Sequence, residues 1–369
     1  IQGYNTHTDM KALLINYEYP PLGGGTAMAN YYLLKEFSKY KDLKLDLLTS
    51  APDRYCEQKL NSNIRIIRFN IGKNKQNLHH QSYADLLRFF WQSTRWTWKH
   101  RQDYDLIHAF SGLPGSITAW LSGKPYLVSF RGADEPGYEP RHEFFWTIIK
   151  PLMYFIYRRA RALDANSRYL KKLVLKSFPD LKIKIINNGI DTRRFFPAKK
   201  PVAKPIILCT SRLAARKGVE YLIQAMVLVP RAKLQLAGTG RLEPKLKHLV
   251  KQLRLSQRVK FLGMIPHDRL PVIYRRSKLF VLPSLSESQS NSLLEALASG
   301  LPAVATNIGG NPELIDATNG LLVPPADSLA LAQAIIKLLT FKLKPKLNQV
   351  YSWEKPAKEY YQLYSRLFV

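Results

Sequence analysis

The sequence predicts an α/β protein built from two doubly wound parallel-sheet domains. Short apolar runs of strand length alternate with longer helical patterns along the chain, as in repeated β-α-β units. A proline-rich linker at residues 195–205 interrupts this alternation. With 369 residues, the chain is also longer than one ordinary hydrophobic core requires. We therefore predict a first domain over residues 10–195, a second over 196–352 and a terminal helix over 353–369.

The apolar runs mark the individual β-strands. In the first domain they cover residues 11–17, 43–49, 64–69, 106–110, 126–130, 162–166 and 183–187, and in the second 206–211, 234–237, 259–262, 279–282, 303–306 and 321–323. Strands joined through helices pair in parallel, so each domain is expected to hold one parallel sheet.

The amino terminus and the hydropathy pattern bear on the cellular compartment. Residues 1–9 are polar and have no signal-peptide pattern, whereas Met10 and the apolar run after it look like a true protein start. We therefore expect the first nine residues to be a vector-derived remnant. No uncharged apolar run in the sequence reaches the roughly 20 residues of a spanning helix, which predicts a soluble or peripheral protein.

The chain is strongly basic. Its 56 lysines and arginines against 27 acidic residues give a formal net charge of +29. The excess is spread over both halves, since residues up to Phe195 hold 30 basic and 17 acidic side chains and the remainder 26 and 10. Such a charge attracts nucleic acid, anionic lipid or phosphorylated substrates, and composition does not choose among them. Cys56 and Cys209 lie far apart, without zinc-site spacing, and are expected to be reduced thiols of a cytosolic protein.

The most informative stretch runs from Leu282 to Thr306. It has the pattern of a strand end, a polar loop, a helix from about Asn291 and a second strand. Glu287 lies in the loop, beside the free N–H groups of the helix start, and Glu295 lies about one turn inside the helix. This arrangement suits a ligand with hydroxyl groups on both sides of a phosphate, such as a nucleotide-sugar. Taken alone, the two glutamates are more typical of solvated carboxylates at a helix edge.

The same stretch resembles a known family. The Glu-x7-Glu spacing, the following ALASGLPAVAT and the downstream GGNPELI (residues 309–315) are similar to the donor-binding signature of the retaining glycosyltransferases called family 4. The resemblance implies the GT-B fold, two Rossmann-like domains facing a central cleft, with the acceptor on the first domain and the nucleotide-sugar on the second. It also implies that the C-terminal helix crosses back onto the first domain.

The resemblance places most donor contacts on the second domain. Arg212 and Lys217 flank a loop that opens a helix and are expected to bind the diphosphate. No strand-end Asp-x-Asp pair is present in the sequence for magnesium, so no metal is expected. Glu287 would bind hydroxyls of the donor sugar and Glu295 those of the ribose. Further donor contacts are expected at Gly238, Gly240, Gly263, Met264, Ser290, Asn291 and Ser292. No cofactor is expected, because the nucleotide-sugar is itself a substrate and the acidic residue of an NAD site is missing.

A glycine loop and a turn complete the expected donor site in the first domain. Gly23, Gly24 and Gly25 lie between the first strand and a helix, where similar enzymes carry a Gly-Gly loop facing the donor diphosphate and the acceptor. We expect Gly24 and Gly25 to contact the donor and Gly23 the acceptor, although glycine also serves turn geometry alone. Asn188, in an NGID turn similar to the family's interdomain segment, is a further expected donor contact.

The segment VSFRGADEPGY, residues 128–138, departs from many similar enzymes, which carry a histidine before the glycine. Here the position is Arg131, whose guanidinium cannot act as a neutral imidazole but could clamp a phosphate. Arg131 is therefore a candidate for the reaction centre, with Asp134 orienting it or binding an acceptor hydroxyl. A structural pair of Arg131 with Asp134 is an equally good interpretation.

Two aromatic segments are candidates for membrane contact. In the first, residues 86–101, rings lie beside cations on one side of a predicted helix, which suits the interface of an anionic bilayer. Its proposed membrane residues are Arg88, Trp91, Arg95, Trp98 and Lys99. Phe89 and Trp96 fall on the opposite side, so some rings are alternatively core residues. The second segment, residues 144–157, is too short to span a bilayer and is interpreted as a buried or partly interfacial helix.

These features together predict a retaining glycosyltransferase that moves a hexose or N-acetylhexosamine from a nucleotide-sugar, with UDP favoured, to a lipid-linked or glycolipid acceptor. The basic charge and the tryptophan-rich segment, residues 86–101, predict peripheral association with the cytoplasmic face of the cell membrane, in lipopolysaccharide, capsule or glycolipid assembly. One alternative is a soluble transferase that makes a small glycoside or sugar phosphate. Another is a basic nucleic-acid-binding protein, which would need clustered basic patches or a recognised module that the sequence does not show.

Overall fold

The computed structural model describes residues 9–72, 82–132, 135–138, 143–199, 202, 204–341, 343, 345 and 351–368. The chain divides into two compact units, Ile1–Gly189 with Trp353–Val369, and Ile190–Ser352. Each unit holds one sheet, and most consecutive strands are connected through helices, so the predicted pair of parallel α/β domains is confirmed. The first boundary precedes residue 190 instead of 196, because Phe195 packs against Tyr274 in the core of the second unit.

The first unit contains an eight-stranded sheet in the order β3-β4-β2-β1-β5-β6-β7-β8. Its strands are β1 (Met10–Ile15), β2 (Leu43–Ala51), β3 (Cys56–Lys59), β4 (Ile64–Asn70), β5 (Leu106–Ala109), β6 (Tyr126–Phe130), β7 (Ala162–Ala165) and β8 (Ile183–Ile185). Their pairings are parallel except that β3 runs antiparallel to β4. The sequence analysis missed β3, because this exposed edge strand is polar and lacks the apolar run by which the others were recognised.

Helices cover both faces of this sheet. They are α1 (Gly25–Phe37), α2 (Tyr83–His100), α3 (Gly115–Leu121), α4 (Glu143–Arg159) and α5 (Arg168–Ser177). The connections made by α2, α3, α4 and α5 all advance in one direction across the sheet, whereas α1 connects in the other direction. Right-handed crossovers therefore place α2 to α5 together on one face and α1 on the opposite face. Among the described helices, none combines the length and the apolar character needed to cross a membrane.

The second unit contains a six-stranded sheet in the order β11-β10-β9-β12-β13-β14, with parallel pairings throughout. Its strands are β9 (Ile206–Thr210), β10 (Lys233–Ala237), β11 (Val259–Gly263), β12 (Leu279–Leu282), β13 (Ala303–Thr306) and β14 (Gly320–Val323). Its helices are α6 (Val219–Ala225), α7 (Glu243–Gln252), α8 (Leu270–Arg275), α9 (Asn291–Ala298) and α10 (Ser328–Thr340). Residues of α6, α7 and α10 fill one core cluster and residues of α8 and α9 the other, so both faces of the sheet are covered.

The last helix, α11 (Glu354–Phe368), packs on the first unit beside α1. Its inward residues Tyr360 and Tyr364 are fully buried in the core cluster that also contains residues of α1. Tyr361 stacks on Tyr40, with ring centroids 4.2 Å apart. Aromatic burial of this extent is a large apolar contribution to stability and ties the chain end to the first sheet.

A buried polar network joins α11 to the strands beneath it. Tyr360 donates a hydrogen bond to Asp164 Oδ1 (2.7 Å), and Ser129 donates to Asp164 Oδ2 (2.5 Å). Because the single Ser129 proton goes to Asp164, His108 Nε2 donates to Ser129 Oγ (2.7 Å), and His108 Nδ1 accepts from Tyr364 (2.6 Å). Burial, reinforced by the charge of Arg131, holds the pKa of His108 well below its ordinary value, so the imidazole is neutral as this pattern requires.

The Tyr360 hydroxyl is expected to contribute measurably to the stability of the first unit. Tyr360→Phe removes a donor from a fully buried carboxylate and should lower the free energy of unfolding by about 1–3 kcal/mol. Tyr361→Phe is the matched control, because its hydroxyl bonds Asp42 near the surface, and it should cost less than about 1 kcal/mol. Urea unfolding followed by tryptophan fluorescence measures both, since the six tryptophans all lie in the first unit. Equal destabilisation by the two variants would contradict a special role for the buried network.

Candidate active site

Loops at the carboxyl edge of the second sheet converge on a buried ion pair. Lys217 ends the 3-10 turn that follows β9, and Glu287 lies in the loop after β12. Lys217 Nζ donates to Glu287 Oε1, and Ser284 Oγ donates to the same oxygen (2.8 Å). The exposed fractions of the two charged side chains are 13% for Lys217 and 8% for Glu287. The structure thus joins two of the predicted catalytic residues, 70 positions apart, in one contact.

Two glycines allow the backbones of this site to approach closely. Gly218 has φ of +56°, and a Cβ atom there would lie 2.2 Å from the carbonyl oxygen of Pro283. Gly309 has φ of +55°, and a Cβ atom there would lie 1.8 Å from the carbonyl oxygen of Glu287. Neither distance is possible for a real side chain, so only glycine fits at these positions. Because Leu285 N also donates to Arg216 O (2.8 Å), the loops after β9, β12 and β13 are held together around the ion pair.

The electrostatic balance of the site favours an anion. Burial raises the pKa of Glu287, but Lys217, Arg216 and the Ser284 hydrogen bond together outweigh burial and hold that pKa below its ordinary value. Burial lowers the pKa of Lys217, and Glu287 opposes this effect while Arg216 and Arg212 add to it. Three cations therefore act on each other around one ionised carboxylate, which leaves net positive charge at the carboxyl edge of β9. Sequence reasoning missed Arg216, although its place next to Lys217 in the ARKG turn was a usable signal.

Glu295 lies on α9 in a second cluster of hydrogen bonds. Tyr274 donates to Glu295 Oε2 (2.9 Å), and His267 Nε2 lies 3.1 Å from Oε1. The Tyr274 hydroxyl also lies 2.6 Å from Thr210 Oγ1, and burial followed by the charge of Glu295 raises its pKa well above the ordinary value. Both carboxylate oxygens are therefore fixed in place by side chains that the sequence analysis did not select. Nothing in the spacing of His267 or Tyr274 links them to Glu295 before the fold is known.

The remaining predicted donor residues surround these two clusters. Ser290 caps α9 by accepting from Leu293 N (3.3 Å), and its Oγ lies 3.0 Å from Ser292 Oγ. Asn291 is the first residue of α9, and the side chain of Met264, just after β11, is exposed.

The predicted glycines lie at the ends of the strands. Gly238 N donates to Gly263 O (2.8 Å), which joins the ends of β10 and β11. Gly240 lies against the backbone of Leu213, next to Arg212. The predicted donor residues of the second unit thus all lie at the carboxyl edge of its sheet or at the start of α9, with Glu295 one turn further along.

The predicted glycine loop of the first unit forms the start of α1. Gly23, with φ of +93°, packs against the side chain of Glu18, and Gly24 N donates to Glu18 Oε2 (3.3 Å). Gly24 is the N-cap residue and Gly25 the first residue of α1. Glu18 was not selected from the sequence, yet its carboxylate occupies the helix start where an anion was expected.

Arg131 lies in the buried network under α11. Its guanidinium pairs with Asp164 Oδ1 (3.1 Å), donates to the Tyr360 hydroxyl, and donates to Asn188 Oδ1 (3.3 Å). It also lies 4.1 Å from the ring centroid of Phe110. The carboxylate that Arg131 contacts is therefore Asp164, 33 positions away, and Asp134 lies outside the described residues. Roles for Arg131 and Asn188 in catalysis or donor binding stay predictions.

The predicted membrane residues share the exposed side of α2. The side chains on this side are Arg88, Trp91, Arg95, Trp98 and Lys99. Phe89 is buried and Trp96 packs against the core, as the alternative interpretation of those two rings expected. Ser82 and Asp85 form a capping box that fixes the start of the helix and hence the orientation of these faces.

Comparisons with known proteins agree with the fold and identify the family. The model of Glycosyltransferase Family 4 matches residues 23–194, and the model of Glycosyl transferases group 1 matches residues 204–340. An uncharacterized glycosyltransferase of Methanocaldococcus jannaschii is 32% identical over 292 residues, which are 71% of this chain and 75% of that protein. A GDP-mannose-dependent monoacylated alpha-(1-6)-phosphatidylinositol monomannoside mannosyltransferase of Corynebacterium glutamicum is 30% identical over 226 residues, 54% of this chain and 58% of that protein.

Solved structures show the same architecture. A sucrose-phosphate synthase from Thermosynechococcus elongatus superposes with a TM-score of 0.82 at 23% identity, covering 97% of this chain and 99% of that chain. The Anabaena protein HepE in complex with UDP superposes with a TM-score of 0.68 at 21% identity, covering 97% and 95%. At these identities the likeness shows the fold, which is GT-B.

The two members of the ion pair are expected to differ in how much their loss destabilises the second unit. Glu287→Gln leaves Lys217 buried beside Arg216 and Arg212, whereas Lys217→Met leaves Glu287 with Arg216 and the Ser284 hydrogen bond. Each single variant should cost about 3–5 kcal/mol, with Glu287→Gln the larger, and Lys217→Met/Glu287→Leu should cost less than the sum. Urea unfolding followed by far-ultraviolet circular dichroism measures all three. A larger loss in Lys217→Met would show that the cations do not repel one another as inferred.

Glu287 is also expected to make the second unit sensitive to acid. Its pKa is lower in the folded chain than the ordinary value of 4.5, so the folded state binds this proton less readily than the unfolded state. The resulting stabilisation is complete above the ordinary value and is lost as the pH falls through the lowered folded value. In Glu287→Gln this part of the acid dependence should disappear. Circular dichroism reports both units while tryptophan fluorescence reports the first, so the difference isolates the second unit, and an unchanged acid dependence there would contradict the inference.

Proposed function

Because the chain belongs to family 4 of the glycosyltransferases and has the GT-B fold, we propose that it transfers a hexose or N-acetylhexosamine from a nucleotide-sugar to a lipid-linked or glycolipid acceptor. The observation that carries the proposal is the buried Lys217–Glu287 pair with Arg212 and Arg216 acting on it. The site combines an excess of cations with the ionised carboxylate of Glu287. That combination suits a ligand that carries both a diphosphate and hydroxyl groups.

The cations are proposed to stabilise the departing diphosphate. Negative charge on the diphosphate grows as the bond to the sugar breaks, and fixed cations in a water-poor site act strongly on such charge. Lys217 is held by Glu287 in the free protein, so a bound diphosphate would share or replace that carboxylate as its partner. Glu287 would then be available to accept hydrogen bonds from hydroxyls of the donor sugar. The ligand would in this way compensate both members of the pair at once.

Glu295 is proposed to bind the ribose hydroxyls. Tyr274 and His267 each engage one of its oxygens, and a carboxylate oxygen retains a further lone pair for a ligand donor. The two side chains therefore orient the carboxylate without saturating it. We expect Tyr274 and His267 to act as positioning residues for this contact.

Retention of configuration and independence of metal are further parts of the proposal. In the mechanism that the family resemblance implies, the acceptor attacks from the face that the diphosphate leaves, and the departing phosphate takes the acceptor proton. The charge balance around Lys217 supports diphosphate binding by side-chain cations. We favour UDP as the nucleotide of the donor. The HepE complex contains UDP, whereas the Corynebacterium relative is named for GDP-mannose.

The lipid acceptor is favoured over a small soluble acceptor by the exposed aromatic and basic side of α2. The Corynebacterium relative is named for a phosphatidylinositol acceptor, whereas the sucrose-phosphate synthase is named for a sugar-phosphate product, so both alternatives have counterparts among similar proteins. On the lipid hypothesis the protein works peripherally at the cytoplasmic face of the cell membrane, in lipopolysaccharide, capsule or glycolipid assembly.

Donor binding can be tested directly by thermal shift. A ligand that binds the folded protein alone raises the melting temperature, so UDP, GDP, ADP and their sugars are compared at equal concentration. One base should give a clear shift, and Glu295→Gln should remove most of it. Glu243→Gln, which alters an exposed pair with Lys247 on α7, is the matched control and should keep the shift. Absence of a shift with every nucleotide, or an unchanged shift in Glu295→Gln, would refute the proposed site.

A further inference from the structure

Helix α4 leaves an apolar stripe uncovered. The exposed fractions are 80% for Phe144, 65% for Ile148, 44% for Leu152 and 41% for Phe155. Intervals of four, four and three residues put these side chains on one side of the helix. The opposite side is also apolar and is buried in the core of the first unit, through Trp146, Met153, Ile156 and Tyr157. A helix that is apolar on both sides is normally covered on both sides.

The uncovered surface continues across the neighbouring helices. Phe155 meets Trp120 of α3 edge to face, with ring centroids 5.8 Å apart. On the other side of α3, Thr118 Oγ1 lies 2.8 Å from Thr94 Oγ1 of α2. Helices α2, α3 and α4 therefore lie side by side on one face of the sheet. We call their exposed apolar residues the outer helix face: Leu87, Trp91, Trp98, Leu121, Phe144, Ile148, Leu152 and Phe155. Exposed apolar residues on three adjacent helices differ from the singly scattered apolar residues of an ordinary soluble surface.

Basic residues border one end of the outer helix face. Each of the three helices follows one strand and precedes the next parallel strand, so their carboxyl ends all point to the amino edge of the sheet. The cations at or just after the carboxyl ends of these helices are Lys99, Arg101, Lys124, Arg158, Arg159 and Arg161. Asp85 and Glu143, the acidic residues of α2 and α4, lie in the first turns at the opposite end. Asp103 and Asp105 lie near the basic edge, and Asp105 accepts from Lys11 N (2.7 Å).

The cations and the rings are physically combined at this end. The Arg101 guanidinium lies 3.6 Å from the ring centroid of Trp98, and the Arg159 guanidinium lies 3.7 Å from that of Phe155. Rings that carry a stacked cation suit the head-group region of a bilayer, where apolar surface and lipid phosphate meet. The other occupant to be tested is a second copy of the same face, in a symmetric dimer.

We propose that the outer helix face is the surface by which the protein docks on an anionic bilayer. The stripe of α4 enters the interface together with the exposed rings of α2, and the cations at the amino edge contact lipid phosphates. This docking surface rests on the proposed function, because a lipid acceptor is what gives the protein a reason to bind a membrane. It extends that function by identifying the surface and by adding α4, which the sequence alone predicts to be buried or partly interfacial.

The test is flotation of the full chain with vesicles of phosphatidylglycerol and phosphatidylcholine, compared with phosphatidylcholine alone. Wild type should float with the anionic vesicles, and Phe144→Ser/Ile148→Ser/Leu152→Ser should reduce binding about tenfold or more. Leu329→Ser/Ile336→Ser, two exposed apolar residues of α10 in the second unit, is the matched control and should bind like wild type. Unchanged flotation of the α4 variant, with tryptophan fluorescence showing a folded first unit, would overturn the proposal.

Charge variants distinguish binding to anionic lipid head groups from purely hydrophobic adsorption to the vesicle. Arg158→Glu/Arg159→Glu should weaken flotation and its salt dependence, whereas Lys245→Glu/Lys251→Glu on α7 should not. If wild type binds equally well to vesicles of phosphatidylcholine alone, the proposed preference for anionic lipid is overturned. Sedimentation velocity tests whether a second copy of the chain binds this face instead. If wild type is a dimer that does not bind vesicles, and the α4 variant is a monomer, the face is a self-interface and the proposal is overturned.

The nucleotide thermal shift keeps the two proposals distinguishable. The α4 variant should retain the wild-type shift, because its substitutions lie on the first unit and the donor residues tested lie on the second. Flotation without any nucleotide shift would leave the docking surface standing and refute the proposed transfer. A nucleotide shift without flotation would do the reverse.

Discussion

The buried pair of Lys217 and Glu287 is the interaction on which the carboxyl edge of the second sheet depends. Bringing two charges out of water is costly, and such a pair by itself adds little to stability. The surrounding loops are nevertheless shaped to hold it, because Gly218 and Gly309 let two backbones approach more closely than any side chain would allow. Arg216 and Arg212 then act on a pair that is already formed. An arrangement that stabilises the free protein so little, and concentrates so much positive charge, is consistent with a site built for an anionic ligand.

The first unit has a buried ion pair of a different character. Asp164 receives hydrogen bonds from Ser129 and Tyr360 as well as its contact with Arg131, and the cation also donates to Asn188. Protein groups thus surround both charges, but burial outweighs them and raises the pKa of Asp164. The pair attaches α11 to the sheet. At Lys217 the charges that surround the pair are further cations. The same chemical contact therefore has a structural role in one unit and suits a ligand in the other, and the difference lies in what surrounds each pair.

Much of the fold could be predicted from the sequence, because parallel strands buried on both faces are continuous apolar runs. The edge strand β3 has no such run and was missed. The candidate site was predictable where chemistry follows chain position, as for Glu287 after β12 or Ser290 at a helix start. Contacts between side chains distant in the chain were not predictable, because they depend on which strands become neighbours. Tyr274 and His267 were missed for that reason, and Arg131 pairs with Asp164 on the adjacent strand instead of with a residue three positions away.

The outer helix face follows from the same dependence on topology. Cations in the last turn of a helix have an ordinary explanation, since they compensate the partial negative charge of the carboxyl end, and α2 and α4 taken singly need no other. The parallel sheet, however, aligns these ends at one edge and sets the apolar sides of three helices next to each other. Compensation of the helix ends does not explain exposed Phe144 and Ile148, because these side chains lie in the amino-terminal half of α4, away from its carboxyl end. Contact of one surface with both the apolar and the charged layers of a bilayer accounts for the two features together.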